Sequence, residues 1–267
     1  MDADHVFTSR LTHAQGAPDL HAICREWAAG VGFPLFFYAV RIPVSLTQPY
    51  HFCLSGYPPL WRQRYDSGEF VRIDPIVRHA FTSPLPVIWD ELDRSAPPVK
   101  AFFDEAATHG LVHGITAPVA GRRGDLALLS LARPEPIPAD AGERHGLRMR
   151  LMWFGTLLHE AVRRVVLTSE GNPLVSQPLS DREKDVLMWA ADGKTSQEIA
   201  RLLSITERTV LFHIESAGRK LGTTGRHNVI ARAVALGEVD LNSRALDAGE
   251  VAPVLVDAPG SPPPGTR

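Results

Sequence analysis

The run LSDREKDVLMWAADGKTSQEIARLLSITERTVLFHIESAGRKLG (179–222) contains three successive helix starts, and no other stretch restricts the fold of this chain as tightly. Ser180 and Glu183 have the S-x-x-E spacing of a capping box. In that device the hydroxyl accepts from the N–H three residues on and the carboxylate reaches back to the cap's own N–H. A helix therefore opens here and runs to about Ala191, and Gly193 ends it. Thr195 and Glu198 repeat the device for a second helix, TSQEIARLL, with Ile199 and Leu202 expected to face inward. Ser204 and Ile205 make a short turn. Thr206 then caps a third helix, whose Val210, Ile214 and Leu221 share one stripe. VIARAVALG (229–237) supplies a fourth. Two helices joined by a tight turn inside a small bundle form the helix-turn-helix pattern.

Basic side chains accompany these helices. Lys194 and Thr195 lie at a helix N-terminus, where free N–H groups and the helix dipole favour a phosphate. Arg208, Arg219, Lys220 and Arg226 add positive charge along and beyond the third helix, although Glu207 and Glu215 between them also fit a merely solvated face. A formal net charge of -2 over 267 residues excludes a chain that is basic throughout, so nucleic-acid contact must come from this local patch.

The chain is long enough for two domains with a core each, and 44% hydrophobic with 22% charged residues is the balance of a globular protein. Two cysteines, Cys24 and Cys53, without C-x-x-C spacing argue against a disulfide scaffold or structural zinc. The N-terminus lacks a basic segment followed by an apolar run, and no window holds eighteen uncharged apolar residues, so a cytoplasmic protein that does not span a membrane is expected.

Upstream, Leu20, Ile23, Cys24 and Trp27 form the stripe of a helix over 18–31. LFFYAVRI (35–42) and HFCL (51–54) read as neighbouring antiparallel strands. Pro58 and Pro59 open a short helix with Trp61 and Tyr65 on one face, and Asp74-Pro75 reads as an N-cap followed by proline at the first helical position. PPVKAFFDEAATHG (97–110) is a further helix. ITAPVA (115–120) and LALLSLA (126–132) are strands, the second apolar enough for burial on both faces. A long helix covers 140–166, LTSEGNPLVSQP (167–178) has linker composition, and the Pro/Gly-rich tail 240–267 is expected to be disordered.

Between Tyr57 and Asp90 the chain gathers Tyr57, Trp61, Tyr65 and Trp89 around Asp74. Aromatics with polar tips need hydrogen-bond partners when buried, as does a carboxylate, and a small polar-headed ligand would supply them. Plain core packing, with Asp74 a solvent-facing cap, explains the same residues without a ligand.

WAADGKTSQEIARLLSITERTVLFHI, together with YPPLWRQRY, IDPIVRHA, PLPVIWD and HGLVHGITAPV in order, resembles the LuxR family of quorum-sensing transcription regulators across roughly residues 5–239, including its orphan branch, whose members have no synthase beside them. The family's recurrent positions fall on Trp61, Tyr65, Asp74, Pro75, Trp89, Gly114, Glu183, Leu187 and Gly193. The resemblance implies an N-acyl-homoserine lactone as ligand and no cofactor. Trp61 would donate to the lactone carbonyl, Asp74 would accept the amide N–H, and Tyr57 would donate to the acyl carbonyl. Tyr65 and Ser130 would complete the polar end. Trp89 would wall the lactone with Phe102 nearby, Arg62 would reach a 3-oxo group through water, and Phe37, Leu111 and Leu126 would line the acyl tunnel. On the DNA side it implies Lys194, Thr195, Thr206, Arg208, Thr209, His213, Arg219 and Lys220. Leu211 and Ser216 replace residues that are commonly amides or amines there.

The expected fold is thus an α+β ligand-binding domain over 1–166, an antiparallel sheet flanked by helices as an α-β-α sandwich. An all-α, four-helix helix-turn-helix domain follows over 179–239. The expected function is a lactone-responsive transcription regulator that binds promoter double-stranded DNA as a homodimer, with RNA polymerase or related regulators as further partners. A regulator answering a non-lactone signal, and a protein forming inactive heterodimers with related regulators, are the rivals. No nucleophile-base set, metal cluster or phosphate loop points to an enzyme, and His109, His113 and His213 read as surface or capping groups.

Overall fold

A computed structural model describes residues 3–42, 49–121, 125–168 and 177–239, and the chain divides between Gln177 and Pro178 into two compact units. The disordered tail expected over 240–267, and the expected linker from 169 to 176, lie outside the described residues.

In the first unit α1 (Ala3–His13) and α2 (Ala17–Gly30) lead into β1 (Leu35–Ile42) and β2 (Tyr50–Ser55). There follow α3 (Pro59–Ser67), α4 (Pro75–Thr82), β3 (Val87–Ile88), α5 (Pro97–Ala107), β4 (His113–Ala120), β5 (Leu126–Arg133) and α6 (Ala141–Thr168). The sheet has the order β2-β1-β5-β4-β3, and every neighbouring pair is antiparallel. Side chains alternate across a strand, so each face recruits its own layer. Phe36, Tyr38, Val40 and Ile42 of β1 are buried on the side that α2 and α6 cover. Phe37 and Ala39 point the other way, as do Leu126, Leu128 and Ser130 of β5, and they line cavities that α3 and α4 help to close.

Three features departed from the sequence reading. Helix α1 has too weak an apolar stripe to announce itself, yet Leu11 is buried and Phe7 meets Phe154 edge-on at 6.4 Å. The two-residue strand β3 pairs Val87 and Ile88 with Thr116 and Ile115 of β4. Leu167 and Thr168 extend α6 instead of opening a linker.

Beneath the α6 side lies a buried polar cluster. The Tyr38 hydroxyl bonds His159 Nδ1 at 2.8 Å, His159 Nε2 stands 3.5 Å from Asp125 Oδ2, and the Arg163 guanidinium is ion-paired with Asp125. The pairing keeps the Asp125 charge inside the core from being left alone.

The second unit consists of α7 (Asp181–Ala191), α8 (Ser196–Leu203), α9 (Glu207–Lys220) and α10 (Arg226–Leu236). Ser180 and Thr195 form the two expected capping boxes, and Thr206 accepts from the Thr209 N–H. The sharp turn between α8 and α9 places Ser204 at φ 54, left-handed, and Gly193 ends α7 at φ 83. Leu202, expected inward, is 50% exposed, because the buried stripe of α8 runs through Ile199 and Ala200.

Candidate functional site: a buried carboxylate among aromatics, and a helix-turn-helix face

Asp74 is held by two local elements. Its Oδ1 accepts the Ile76 N–H at 2.8 Å, the bond that caps α4, and Pro75 costs nothing at the first helical position because its missing N–H would have been unpaired there. Its Oδ2 accepts the Tyr65 hydroxyl at 2.8 Å, carried in by the last turn of α3. The cap does not face solvent: the residue is only 6% exposed. Burial disfavours the ionised form and pushes the carboxyl up to about 6, against the pull of the Tyr65 and backbone donors.

Trp61, one turn before Tyr65, is 2% exposed and packs on Phe70 and Phe102 at centroid distances of 5.8 Å each. Its indole N–H makes no hydrogen bond among the described residues, although the side chain lines the same cavity as Asp74. Tyr57 stacks on Phe37 at 5.5 Å. Burial first, and then the Asp74 charge, raise the Tyr57 and Tyr65 hydroxyls, so both remain protonated donors.

A row of hydroxyls closes the far side. Trp89 Nε1 donates to Thr116 Oγ1 at 2.9 Å, Thr116 and Ser130 hydroxyls meet at 2.8 Å, and Ser130 interacts in turn with Tyr57. Thr116 stands directly opposite Ser130 in the β4–β5 register. The Trp89 ring lies flat on the backbone at Gly114, where a Cβ would come within 2.5 Å of the ring and 2.6 Å of the Leu131 carbonyl oxygen. Only glycine leaves room for the ring there.

These residues enclose a cavity of about 50 Å3, lined by Tyr57, Trp61, Arg62, Tyr65, Asp74, Trp89, Phe102, Leu111 and Ser130. Leu126 is not among them. It lines a neighbouring cavity of about 420 Å3 that shares Phe37, Arg62, Tyr65, Val77 and Leu128 with the first. The β5 alternation explains this: Leu126, Leu128 and Ser130 share one face, and Leu126 is the farthest from the polar end. Arg62 stands between the two cavities, its guanidinium 4.6 Å over the Phe37 ring and bonded to Asp66 at 3.0 Å. Ile76, Val77, Phe103 and Thr116 were missed by sequence reasoning. Thr116 meets Ser130 only through the β4–β5 register, which the sequence does not announce. His109, read as a surface group, instead packs its ring 5.5 Å from Trp61.

In the second unit the expected DNA-side residues separate into two groups. Arg208 and Arg219 are exposed on α9, and Lys194 stands half-buried just before α8 with Nζ 3.8 Å from Asp192. The others are engaged internally. Thr195 bonds Glu198, Thr206 and Thr209 bond each other at 2.8 Å, and the His213 ring lies against Phe212 at 5.7 Å. Lys220 pairs with Glu183 at 2.7 Å. Glu183 is 3% exposed and also accepts from the Ser216 hydroxyl and the Ser180 N–H, each at 2.7 Å. Burial by itself would raise this carboxyl, but the Lys220, Ser180 and Ser216 donors outweigh it and hold it down at about 2. Arg226, read as added positive charge, is also used internally: it donates to Ser196 Oγ at 3.1 Å and to the Lys194 carbonyl, tying α10 to the start of α8.

Among the described residues, no cluster of His, Cys, Asp and Glu is placed to hold a metal ion, and no helix is long and apolar enough to cross a membrane.

The autoinducer binding domain family matches residues 16–162, and the family of bacterial regulatory proteins of luxR type matches residues 177–233. The transcriptional activator protein AnoR of Acinetobacter nosocomialis is 31% identical over 219 residues, covering 82% of this chain and 91% of its own. The quorum-sensing regulator RhlR of Pseudomonas aeruginosa is 33% identical over 234 residues, covering 86% and 93%. SdiA of Escherichia coli superposes with a TM-score of 0.72 at 26% identity, over 88% of this chain and 97% of its own. SdiA in complex with octanoyl-rac-glycerol gives 0.73 at 27% identity, over 90% and 99%. On these matches, and with an antiparallel-sheet unit followed by a capped helix-turn-helix, the chain belongs to the LuxR family of transcription regulators and pairs an autoinducer-binding domain with a luxR-type DNA-binding domain.

Proposed function

We propose that the first unit, taken as residues 1–166, encloses an N-acyl-homoserine lactone, and that the loaded chain binds promoter DNA as a homodimer through residues 179–239. The observation that carries this reading is the pairing, at one end of an apolar cavity, of a buried carboxylate with an indole N–H that has no hydrogen-bond partner among the described residues. A lactone amide would donate to Asp74, the Trp61 N–H would donate to the lactone carbonyl, and Tyr57 would donate to the acyl carbonyl. Trp89 would serve as a wall only, since its N–H is committed to Thr116. The acyl chain would pass Phe37 and Arg62 toward Leu128 and Leu126. An amide donor on a carboxylate is a charge-assisted bond, on the order of 1.5–3 kcal/mol net.

Ligand that binds only the folded unit stabilises it by mass action, about 2.7 kcal/mol at a hundredfold excess over Kd. Signal therefore raises the amount of chain able to place two recognition helices in successive major grooves. Helix α6 offers a face for the second copy: Met149 and Trp153, four apart, are 52% and 56% exposed.

A second reading has a specific observation behind it, since SdiA has been solved with octanoyl-rac-glycerol. An acylglycerol carries an acyl chain and hydroxyls but no amide N–H, so the two ligand classes make different demands on Asp74. Producing the full chain with each class supplied separately, extracting what co-purifies and identifying it by mass spectrometry decides between them. Equal solubility and melting temperature with every lactone, and no acyl compound retained, would sink the proposal.

A further inference from the structure

The exposed face of α9 carries two large apolar side chains, Leu211 and Phe212. Val210, Ile214, Ala217 and Leu221 are buried against the other helices, so the outer face falls to Arg208, Leu211, Phe212, Glu215 and Arg219. Leu211 is 48% exposed and Phe212 56%. Both lie in the second turn after the Thr206 cap, within the N-terminal half of the helix that approaches base edges in a helix-turn-helix. Arg208 and Arg219 flank them with positive charge, which suits phosphates on either side and leaves the middle of the face to the bases.

A leucine has neither donor nor acceptor. It cannot address guanine N7 and O6, adenine N6 and N7, or cytosine N4. The apolar feature that the major groove presents is the C5-methyl group of thymine. We infer that Leu211 is a specificity-determining residue that packs on a thymine methyl, with Phe212 beside it excluding water. The inference rests on α9 being the helix that enters the major groove.

The test uses the full chain, produced with a panel of N-acyl-homoserine lactones, and a DNA site selected from a random duplex pool. Each thymine of that site is then replaced singly by deoxyuridine, which keeps the pairing and removes only the methyl group. One thymine per half-site should weaken wild-type binding about fourfold when replaced, the worth of one buried methyl-sized group. Replacing it in both half-sites should compound to about fifteenfold. Leu211→Ala, an exposed change whose folding a thermal melt checks, should bind thymine and deoxyuridine sites equally. Leu211→Asn should move the selected base toward adenine. Wild-type indifference to deoxyuridine at every position overturns the inference, and so does undiminished sensitivity in Leu211→Ala. If operator binding survives both Leu211→Ala and Phe212→Ala unchanged, the apolar pair serves a protein partner and not DNA. Retention of no sequence from the pool by the wild-type chain overturns the placement of α9 itself, a failure distinct from the others.

Discussion

The Tyr65 hydroxyl donates to Asp74 Oδ2 at 2.8 Å while Asp74 Oδ1 caps α4, so the carboxylate is immobilised before any ligand arrives. The Val77 N–H donates to it as well, so three of the carboxylate's four lone pairs are used and one is left for a ligand donor. Burial still leaves the charge under-solvated, which is why the carboxyl is raised to about 6.

The raised value sets a pH dependence with a definite sign. The unfolded chain loses this proton near 3.8 and the folded chain near 6, so folding without ligand is penalised as pH rises through that window. The penalty, on the order of 3 kcal/mol at most, persists above it. A ligand amide favours the charged form and pulls the value back down, so lactone affinity should weaken as pH falls from 7.5 to 5. Isothermal titration across that range checks it, with Asp74→Asn giving a flat and weaker profile. An affinity independent of pH in the wild-type chain would leave Asp74 as a helix cap alone.

Trp61→Phe keeps the ring stack with Phe70 and Phe102 but removes the indole N–H. That donor has no protein partner among the described residues, so the unliganded chain should lose only the packing of the smaller ring, about 1 kcal/mol. Ligand affinity should fall by about 1 kcal/mol, close to fivefold. A large loss of stability without ligand would instead mark Trp61 as a packing residue.

How much of this was legible beforehand varies with the physics involved. Caps and prolines are local, and Ser180, Thr195, Thr206 and Asp74-Pro75 all mark true helix starts. The apolar run 126–132 marked a strand but not that Ser130 and Leu126, on one face of it, line different cavities, because depth along a face depends on which helices cover it. Long-range pairings were not readable at all. Nothing near Glu183 in sequence signals Lys220 or Ser216, and Thr116 meets Ser130 only through strand register. The buried Asp125–Arg163 pair was invisible for the same reason.

Lys220 reads as a phosphate contact from sequence, whereas its ammonium is bonded to the buried Glu183. Lys220→Ala should therefore lower the melting temperature of the second unit and leave the salt dependence of DNA binding unchanged, since that slope counts phosphates neutralised. The Glu183 carboxyl is held down at about 2, so its contribution is present above the unfolded value of 4.5 and is lost as pH falls toward 2. Because Lys220 is 25% exposed, solvent screening limits the pair, and Glu183→Gln should cost about 2 kcal/mol. A salt slope reduced by about one in Lys220→Ala would return that residue to the DNA face.

Trp153 is 56% exposed on α6 with Met149 one turn before it, while Leu151, Phe154 and Leu158 of the same helix are buried. The helix thus has an inner stripe that the sheet and α2 require and an outer stripe that they do not use. Large exposed apolar groups on an otherwise polar helix face favour association, and the homodimer proposed above would place a second copy there. Trp153→Glu sets a charge on that face without touching the core, so the unliganded fold should keep its melting temperature. Two-fold symmetry would bring both copies of the new carboxylate into the same interface. Analytical ultracentrifugation of the liganded chain should then show dimer for the wild type and monomer for Trp153→Glu, with operator affinity falling as the second half-site is lost. A variant that remains dimeric and binds the operator normally would move the interface off α6.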